Sequence, residues 1–286
     1  MKSPHFQLAK QIADLFAALP QVEAIALAGS RGNRLITTDS VSDIDLYVYT
    51  QGEIPLEARQ SIVELSGGAK RADLNLNYWG SGDEWINTRT SIEVDIVYFD
   101  TIWMKEQITR VVDQHQASMG YTTCFWHTIR QSNIFFDPRN WLASLQQKCQ
   151  IEYPETLRQN IITLNYPVLR SIIPSYAFQI EKAAKRRDLV SINHRLAALL
   201  ASYFDILFAL NRQLHPGEKR LIEFTINNCE LIPSNFEIEI NSLLQFTESD
   251  IPNLPMCVNN LLDHLDQVLN DEGLIKIPPR SNPAKN

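Results

Sequence analysis

Residues 42–49 read Ser-Asp-Ile-Asp-Leu-Tyr-Val-Tyr, a run in which polar and apolar side chains alternate. This period of two predicts a β-strand, because successive side chains of a strand point to opposite faces of a sheet. Asp43 and Asp45 then share one face, while Ile44 and Leu46 point into the core. Neighbouring carboxylates repel each other unless a cation lies between them, and hard divalent cations prefer oxygen ligands. The run therefore predicts a strand that carries a metal-binding pair.

A second run has the same character. Residues 91–97 read Ser-Ile-Glu-Val-Asp-Ile-Val, so Glu93 and Asp95 share one face of another apolar strand. If the two strands are neighbours in the sheet, three or four carboxylates converge.

The segment between the first apolar strand and the carboxylates is suited to phosphate. The apolar run Val22–Ala28 ends at Gly29 and Ser30. A glycine there lets backbone N–H groups approach a phosphate, and Ser30 adds a hydroxyl. Arg31 offers a planar fork for phosphate oxygens, although pairing with an acid such as Asp39 explains it equally well. Phosphate and metal contacts side by side indicate a site for a nucleoside triphosphate with magnesium.

These residues resemble the nucleotidyltransferases of the DNA polymerase beta superfamily. Gly29 and Ser30, twelve intervening residues, Asp43-x-Asp45 and Asp95 match that pattern. Among its branches, the chain looks like the bacterial aminoglycoside and lincosamide nucleotidyltransferases, which pair the catalytic α/β domain with a C-terminal helical bundle. The resemblance covers residues 22–99 by motif and the remainder by architecture.

The resemblance implies a role for each matched residue. Ser30 would hold the triphosphate, and Asp43 and Asp45 would bind one or two Mg²⁺ ions. Asp95 would complete the metal site or act as general base, a role that Glu93 is placed to share. ATP would be the nucleotide donor.

Two residues of the second half are further candidates. Residues 207–220 look similar to the helix-turn-helix that, in antibiotic-modifying members, sends a lysine to the phosphates, which makes Lys219 the candidate here. Asp205 lies in the apolar helix predicted for residues 196–210, where a carboxylate needs a partner. It either pairs with a basic residue of another helix or faces a cleft and holds a cationic acceptor.

The sequence predicts an α+β fold in two domains, a catalytic domain over 1–138 with a small mixed sheet flanked by helices, and a helical bundle over 139–286. The first domain begins with an amphipathic helix, and its predicted strands are Val22–Ala28, Ile44–Tyr49, Ala72–Trp79, Ile92–Phe99 and Asn133–Phe136, with a helix at Pro55–Leu65. The predicted helices of the second domain are 139–149, 154–170, 175–187, 189–212, 216–228, 234–248 and 253–271.

Composition narrows the class of partner. The net charge of −7 opposes a nucleic-acid binder, because such proteins neutralise phosphates with a basic face. The four cysteines have no zinc-ligand spacing, and the N-terminal residues lack the apolar centre of a signal peptide. We therefore expect a cytoplasmic protein without a membrane span, and the sequence leaves its oligomeric state open.

Taken together, the sequence predicts an enzyme that moves a nucleoside monophosphate, AMP from MgATP, onto a hydroxyl of a small acceptor such as an antibiotic, with release of pyrophosphate. Two alternatives share the same metal acids. One is a tRNA or RNA terminal nucleotidyltransferase, which the acidic charge disfavours. The other is a regulator or antitoxin of the same fold that modifies a protein or RNA partner.

Overall fold

A computed structural model describes residues 3–27, 43–78 and 80–276. The residues predicted to hold phosphate, Gly29, Ser30 and Arg31, lie outside those ranges. The chain divides into two compact units, Met1–Asp113 with Phe125–Glu152, and Gln114–Cys124 with Tyr153–Asn286. The predicted fold class, a mixed α+β part followed by a helical part, is confirmed.

Six strands of the described chain form one sheet in the first unit, in the order β3-β4-β5-β2-β1-β6. Among these strands β2 and β5 run parallel, and the other neighbours are antiparallel. The elements are α1 Pro4–Ala17, β1 Val22–Leu27, β2 Ile44–Thr50, α2 Leu56–Leu65, β3 Ala69–Leu76, β4 Ser81–Asn87, β5 Glu93–Asp100, α3 Thr101–Val112, α4 Cys124–Gln131, β6 Asn133–Phe136 and α5 Trp141–Lys148.

One face of this sheet packs into the core of the unit. Ile44 and Leu46 of β2 point to this face and are completely buried, as their alternation predicts. Ile12 and Phe16 of α1 belong to the same apolar cluster. Because side chains alternate along a strand, the odd-numbered residues of β2, from Asp45 onward, lie on the opposite face.

The strand β4 is not among those predicted, because a polar run from Ser81 to Glu84 hides it. Asp83 points to the core face, where it is only 2% exposed. Its Oδ1 lies 2.8 Å from Nη1 of Arg59, which is 4% exposed, and accepts a hydrogen bond from the backbone N–H of Asn75. Its Oδ2 accepts from the Tyr98 hydroxyl at 2.6 Å. A buried ion pair therefore takes the place of an apolar residue in this strand.

The neighbouring strand β3 differs from its predicted range. The sequence predicted Ala72–Trp79, with Leu74, Leu76 and Tyr78 on one side, whereas β3 spans Ala69–Leu76. Asn75 has a left-handed backbone, with φ of 61°, and the pairing with β4 is irregular at this point. Tyr78 lies beyond the strand and is 80% exposed. The irregularity interrupts the period of two on which the prediction depended.

The second unit is helical. Its elements are α6 Glu155–Tyr166, a π-helical turn Pro167–Ser171, α7 Tyr176–Lys185, α8 Leu189–Leu210, α9 Leu221–Asn228, α10 Phe236–Leu244, a 3₁₀ turn Glu248–Asn253 and α11 Leu254–Asp271. These elements fall at the predicted helices, except that α9 begins at Leu221 rather than at Pro216. No helix of the described residues is both long and apolar enough to cross a bilayer.

The first unit extends past Pro138, where the sequence places the boundary, to Glu152. Two contacts within the first unit explain why α5 belongs to it. The ring of Trp141 packs against Tyr49 of β2, with centroids 5.1 Å apart. Just before α5, Arg139 forms an ion pair with the buried Glu23 of β1. The helical period of residues 139–149 does not reveal which unit they pack against.

We expect the substitution Asp83→Ala to lower the free energy of unfolding by about 3–5 kcal/mol, because Arg59 would keep a buried charge without its counterion. Urea denaturation measures this change. Asp73→Ala on β3 is the matched control, since the ion pair of Asp73 with Arg71 is exposed and should contribute no more than about 1 kcal/mol. Equal losses in the two variants would contradict the assignment of Asp83 as a buried anchor.

Candidate active site

The two predicted acidic strands are neighbours. β2 and β5 pair in parallel, and Asp45 stands directly beside Asp95 in the register. Directly paired residues point to the same face, and neighbouring strands lie about 4.8 Å apart. Both side chains are partly exposed, so Asp95 is less enclosed than its apolar neighbours in sequence suggest. The two strands thus meet the condition set out from the sequence, and their register brings these two carboxylates side by side.

The other two predicted acids lie at the entrance of the same strands. Asp43 directly precedes β2 and is exposed. Glu93 is the first residue of β5, is exposed, and by alternation lies on the same face as Asp95. The entrance of this parallel pair is therefore acidic on both strands. The roles of these residues remain predictions.

The structure adds a further acid, Glu84, to those predicted from the sequence. Glu84 of β4 pairs with Asp95 on the side opposite to Asp45, and Asp73 of β3 pairs with Glu84. Across the described strands β3-β4-β5-β2, the row of paired residues is thus Asp73, Glu84, Asp95 and Asp45. The only signal for Glu84 in the sequence was its position next to Asp83. That signal places Glu84 on the outer face only once β4 has been recognised as a strand.

Charge is distributed unevenly along this row. Like charges directly opposite each other on neighbouring strands are destabilising. At the β3 end, Nη2 of Arg71 lies 2.7 Å from Oδ2 of Asp73 and balances its charge. Glu84, Asp95 and Asp45 place three acidic side chains on adjacent strands at the centre of the sheet. The row covers about 14 Å, which is too wide for one ion to contact every member.

The donor atoms in this row suit magnesium. Within the described ranges, no three His, Cys, Asp or Glu side chains form a group that could hold a metal ion. Magnesium, however, is commonly bound by one or two carboxylates, with substrate phosphates and waters as the remaining ligands. Asp45 and Asp95 are hard oxygen donors on adjacent strands. They fit an ion that arrives together with a triphosphate.

Aromatic rings follow the carboxylates along the same face. Tyr47 lies two residues beyond Asp45, and its ring packs edge-on with Phe99 of β5, with centroids 5.2 Å apart. Phe99 in turn stacks with Trp103 of α3 at 5.9 Å and with the buried ring of Tyr49. We call Tyr47, Tyr49, Phe99 and Trp103 the aromatic cluster. The face therefore changes from acidic to aromatic along β2 and β5.

Lys219, the predicted phosphate ligand of the second half, belongs to the second unit. It is exposed and lies in the turn immediately before α9. The segment from Asn211 to Arg220 that links α8 to α9 is irregular rather than a tight helix-turn-helix connection. Its role at a phosphate remains a prediction.

Within the part of the chain that the structure describes, Asp205 pairs with no basic side chain, which corrects the first of the two interpretations from sequence. The side chain is 1% exposed, and its oxygens accept hydrogen bonds from the backbone N–H and the hydroxyl of Thr122, at 3.0 and 2.6 Å. Asn165 of α6 donates to the same carboxylate and to the carbonyl of Ser118, and accepts from the N–H of Gly120. These hydrogen bonds to Asp205 of α8 and Asn165 of α6 hold residues 118–122 in place within the second unit.

Burial raises the pKa of Asp205 from 3.8 to about 7, and the hydrogen bonds from Thr122 oppose this shift only in part. Between pH 4 and pH 7 the unfolded chain therefore loses a proton that the folded chain keeps. Stability decreases as the pH rises through this window, by about 4 kcal/mol at most from this group.

We expect Asp205→Asn to remove this part of the pH dependence, because the amide does not titrate. From pH 4 to pH 7, the unfolding free energy of the unaltered chain should fall relative to that of the variant, as measured by urea denaturation. Asp271→Asn, at the exposed end of α11, is the control. Parallel pH profiles for the unaltered chain and Asp205→Asn would show that Asp205 titrates normally.

Residues 123–221 match a family described as a domain of unknown function, DUF4037. No curated protein matches the chain. Among solved structures, the chain is similar to a nucleotidyltransferase-like protein from Exiguobacterium sibiricum 255-15, with a TM-score of 0.42 and 14% identity, over 93% of this chain and 79% of that chain. The family match runs from α4 to the first residue of α9. It therefore leaves out β2 and β5, which carry the row of carboxylates.

Proposed function

We propose that this chain is a magnesium-dependent nucleotidyltransferase that moves a nucleoside monophosphate, AMP from ATP, onto a hydroxyl of a small acceptor. The observation that carries the proposal is the parallel register of β2 and β5, which sets Asp45 beside Asp95 on one face. Leu27, the last residue of β1, pairs with Leu46, the neighbour of Asp45. β1 therefore ends next to this pair, and Gly29, Ser30 and Arg31 stay the predicted phosphate-binding residues.

The proposed magnesium ligands come from Asp43, Asp45 and Asp95, no more than two of which would hold an ion at one time. When bound, the ion would neutralise charge on the triphosphate oxygens and on the departing pyrophosphate. The protein itself would supply two things, a pair of fixed carboxylates and an acceptor for a proton. Without a cation, this row of acids would repel a triphosphate.

Asp95 is the proposed proton acceptor. The acceptor hydroxyl would lose its proton to the Asp95 carboxylate while its oxygen forms a bond to the α-phosphorus. The bond between the α-phosphorus and the bridging oxygen breaks, and pyrophosphate leaves with that electron pair. Asp95 is held between Asp45 and Glu84 in the sheet, whereas Glu93 is exposed at the start of β5. Glu93 stays the second candidate for this role.

The charge of the chain supports a small acceptor. The first 138 residues contain 11 basic and 17 acidic side chains, and the remainder contain 15 and 16. A polymer-directed enzyme needs a basic track to neutralise phosphates along its substrate. A small alcohol carries no row of phosphates and needs no basic track for its binding.

We expect Asp45→Asn and Asp95→Asn each to lower turnover by at least about 100-fold, because one removes a metal ligand and the other a base or ligand. The measurement is pyrophosphate release from MgATP with a panel of aminoglycosides and lincosamides. Asp73→Asn is the matched control, since it lies in the same row but pairs with Arg71. Glu93→Gln decides between the two candidate bases.

Removal of magnesium with a chelator should stop the reaction in the unaltered chain. A second assay with ATP labelled at the α-phosphate, offered tRNA and cell lysate as well as the small-molecule panel, shows where the nucleotide goes. Label on RNA or on a protein would favour the alternatives set out from the sequence. Undiminished turnover in both Asp45→Asn and Asp95→Asn would overturn the proposed site.

A further inference from the structure

We propose that Tyr47 binds the base of the nucleotide by stacking, so that the aromatic cluster forms the nucleoside-binding part of the site. This inference rests on the proposed function, because it assumes that the triphosphate lies at Asp45 and Asp95. It adds a binding residue that neither the motif nor the comparisons indicate.

The first support is position. Tyr47 lies two residues beyond Asp45 on the same strand and the same face, at a distance of about 7 Å between their Cα atoms. In the register, it pairs with Ala26 of β1 and Val97 of β5. Tyr47 is thus the first aromatic residue on this face as β2 leads away from the carboxylates, and its side chain is partly exposed.

The second support is the way in which the ring is held. The interplanar angle between Tyr47 and Phe99 is 78°, so their contact is edge to face. Phe99 is itself packed against Trp103 with an interplanar angle of 2° and against the buried Tyr49. These neighbours fix the ring before a ligand arrives, which lowers the entropic cost of binding a second planar group.

The third support is the match between this face and a nucleoside triphosphate. Along β2 the residues on this face are Asp45, Tyr47 and Tyr49, and along β5 they are Asp95, Val97 and Phe99. A nucleoside triphosphate also changes along its length, from a charged, metal-binding end to a neutral planar ring. Stacking is tolerant of base identity, because every base has a π-face. Tyr47 would therefore contribute affinity for the nucleotide without selecting one base strongly.

The test compares a ligand that has a base with one that does not. Isothermal titration calorimetry in magnesium buffer gives the Kd for ATP and for inorganic tripolyphosphate. We expect Tyr47→Leu to weaken ATP binding by about 10- to 100-fold and to leave tripolyphosphate binding within about twofold. Tyr47→Phe keeps the ring and should retain ATP affinity. Tyr78→Leu replaces an exposed tyrosine beyond β3 and is the control.

The outcomes separate this inference from the proposed function. Equal weakening of both ligands in Tyr47→Leu, or unchanged ATP affinity, overturns stacking by Tyr47. Equal affinity of the unaltered chain for ATP and tripolyphosphate also overturns it, because the base would then contribute nothing. If Asp45→Asn still abolishes magnesium-dependent binding of both ligands in those cases, the proposed function is retained and only the role of Tyr47 is overturned. Failure of the unaltered chain to bind either ligand overturns both proposals.

Discussion

The parallel pairing of β2 with β5 is the constraint on which the candidate site depends. Parallel strands need a long connection, here α2 with the strands β3 and β4, and in return they begin at the same edge of the sheet. Their register is fixed by the buried Ile44 and Val94, which are directly paired. A slip of one residue on either strand would turn its carboxylates toward the apolar core. The burial of two aliphatic side chains therefore determines where the acidic ones meet.

Much of this site could be predicted from the sequence, because both acidic strands obey a simple alternation. Residues 42–49 and 91–97 each place apolar side chains at every second position, and the structure has strands there. Glu84 could not be found in this way, since the buried position next to it in β4 is taken by Asp83, in an ion pair with Arg59, rather than by an apolar residue. Those two residues are far apart in the chain, and a polar run does not reveal that one of its acids is buried against a distant guanidinium.

In the helical half, too, some features follow from the local sequence and others from contacts between distant residues. The positions of its helices follow from apolar periodicity and from prolines, which act within a few residues. The partner of Asp205 cannot be inferred from local sequence, because a buried carboxylate can be satisfied by hydroxyl and N–H donors as well as by a cation. Thr122 supplies both donors from a separate segment of the same unit. The division of the chain after Glu152 depends on similar distant contacts, those of Trp141 with Tyr49 and of Arg139 with Glu23.

Asp83 and Glu84 are consecutive residues with opposite surroundings, one inside the core beside Arg59 and the other in the acidic row beside Asp95. An in-frame gain or loss of a single codon that shifted β4 by one position would exchange them. It would leave the guanidinium facing a different side chain and would put Asp83 on the outer face in place of Glu84. Natural variants of this gene should therefore tolerate changes of residue on the outer face of β4 far better than changes of length.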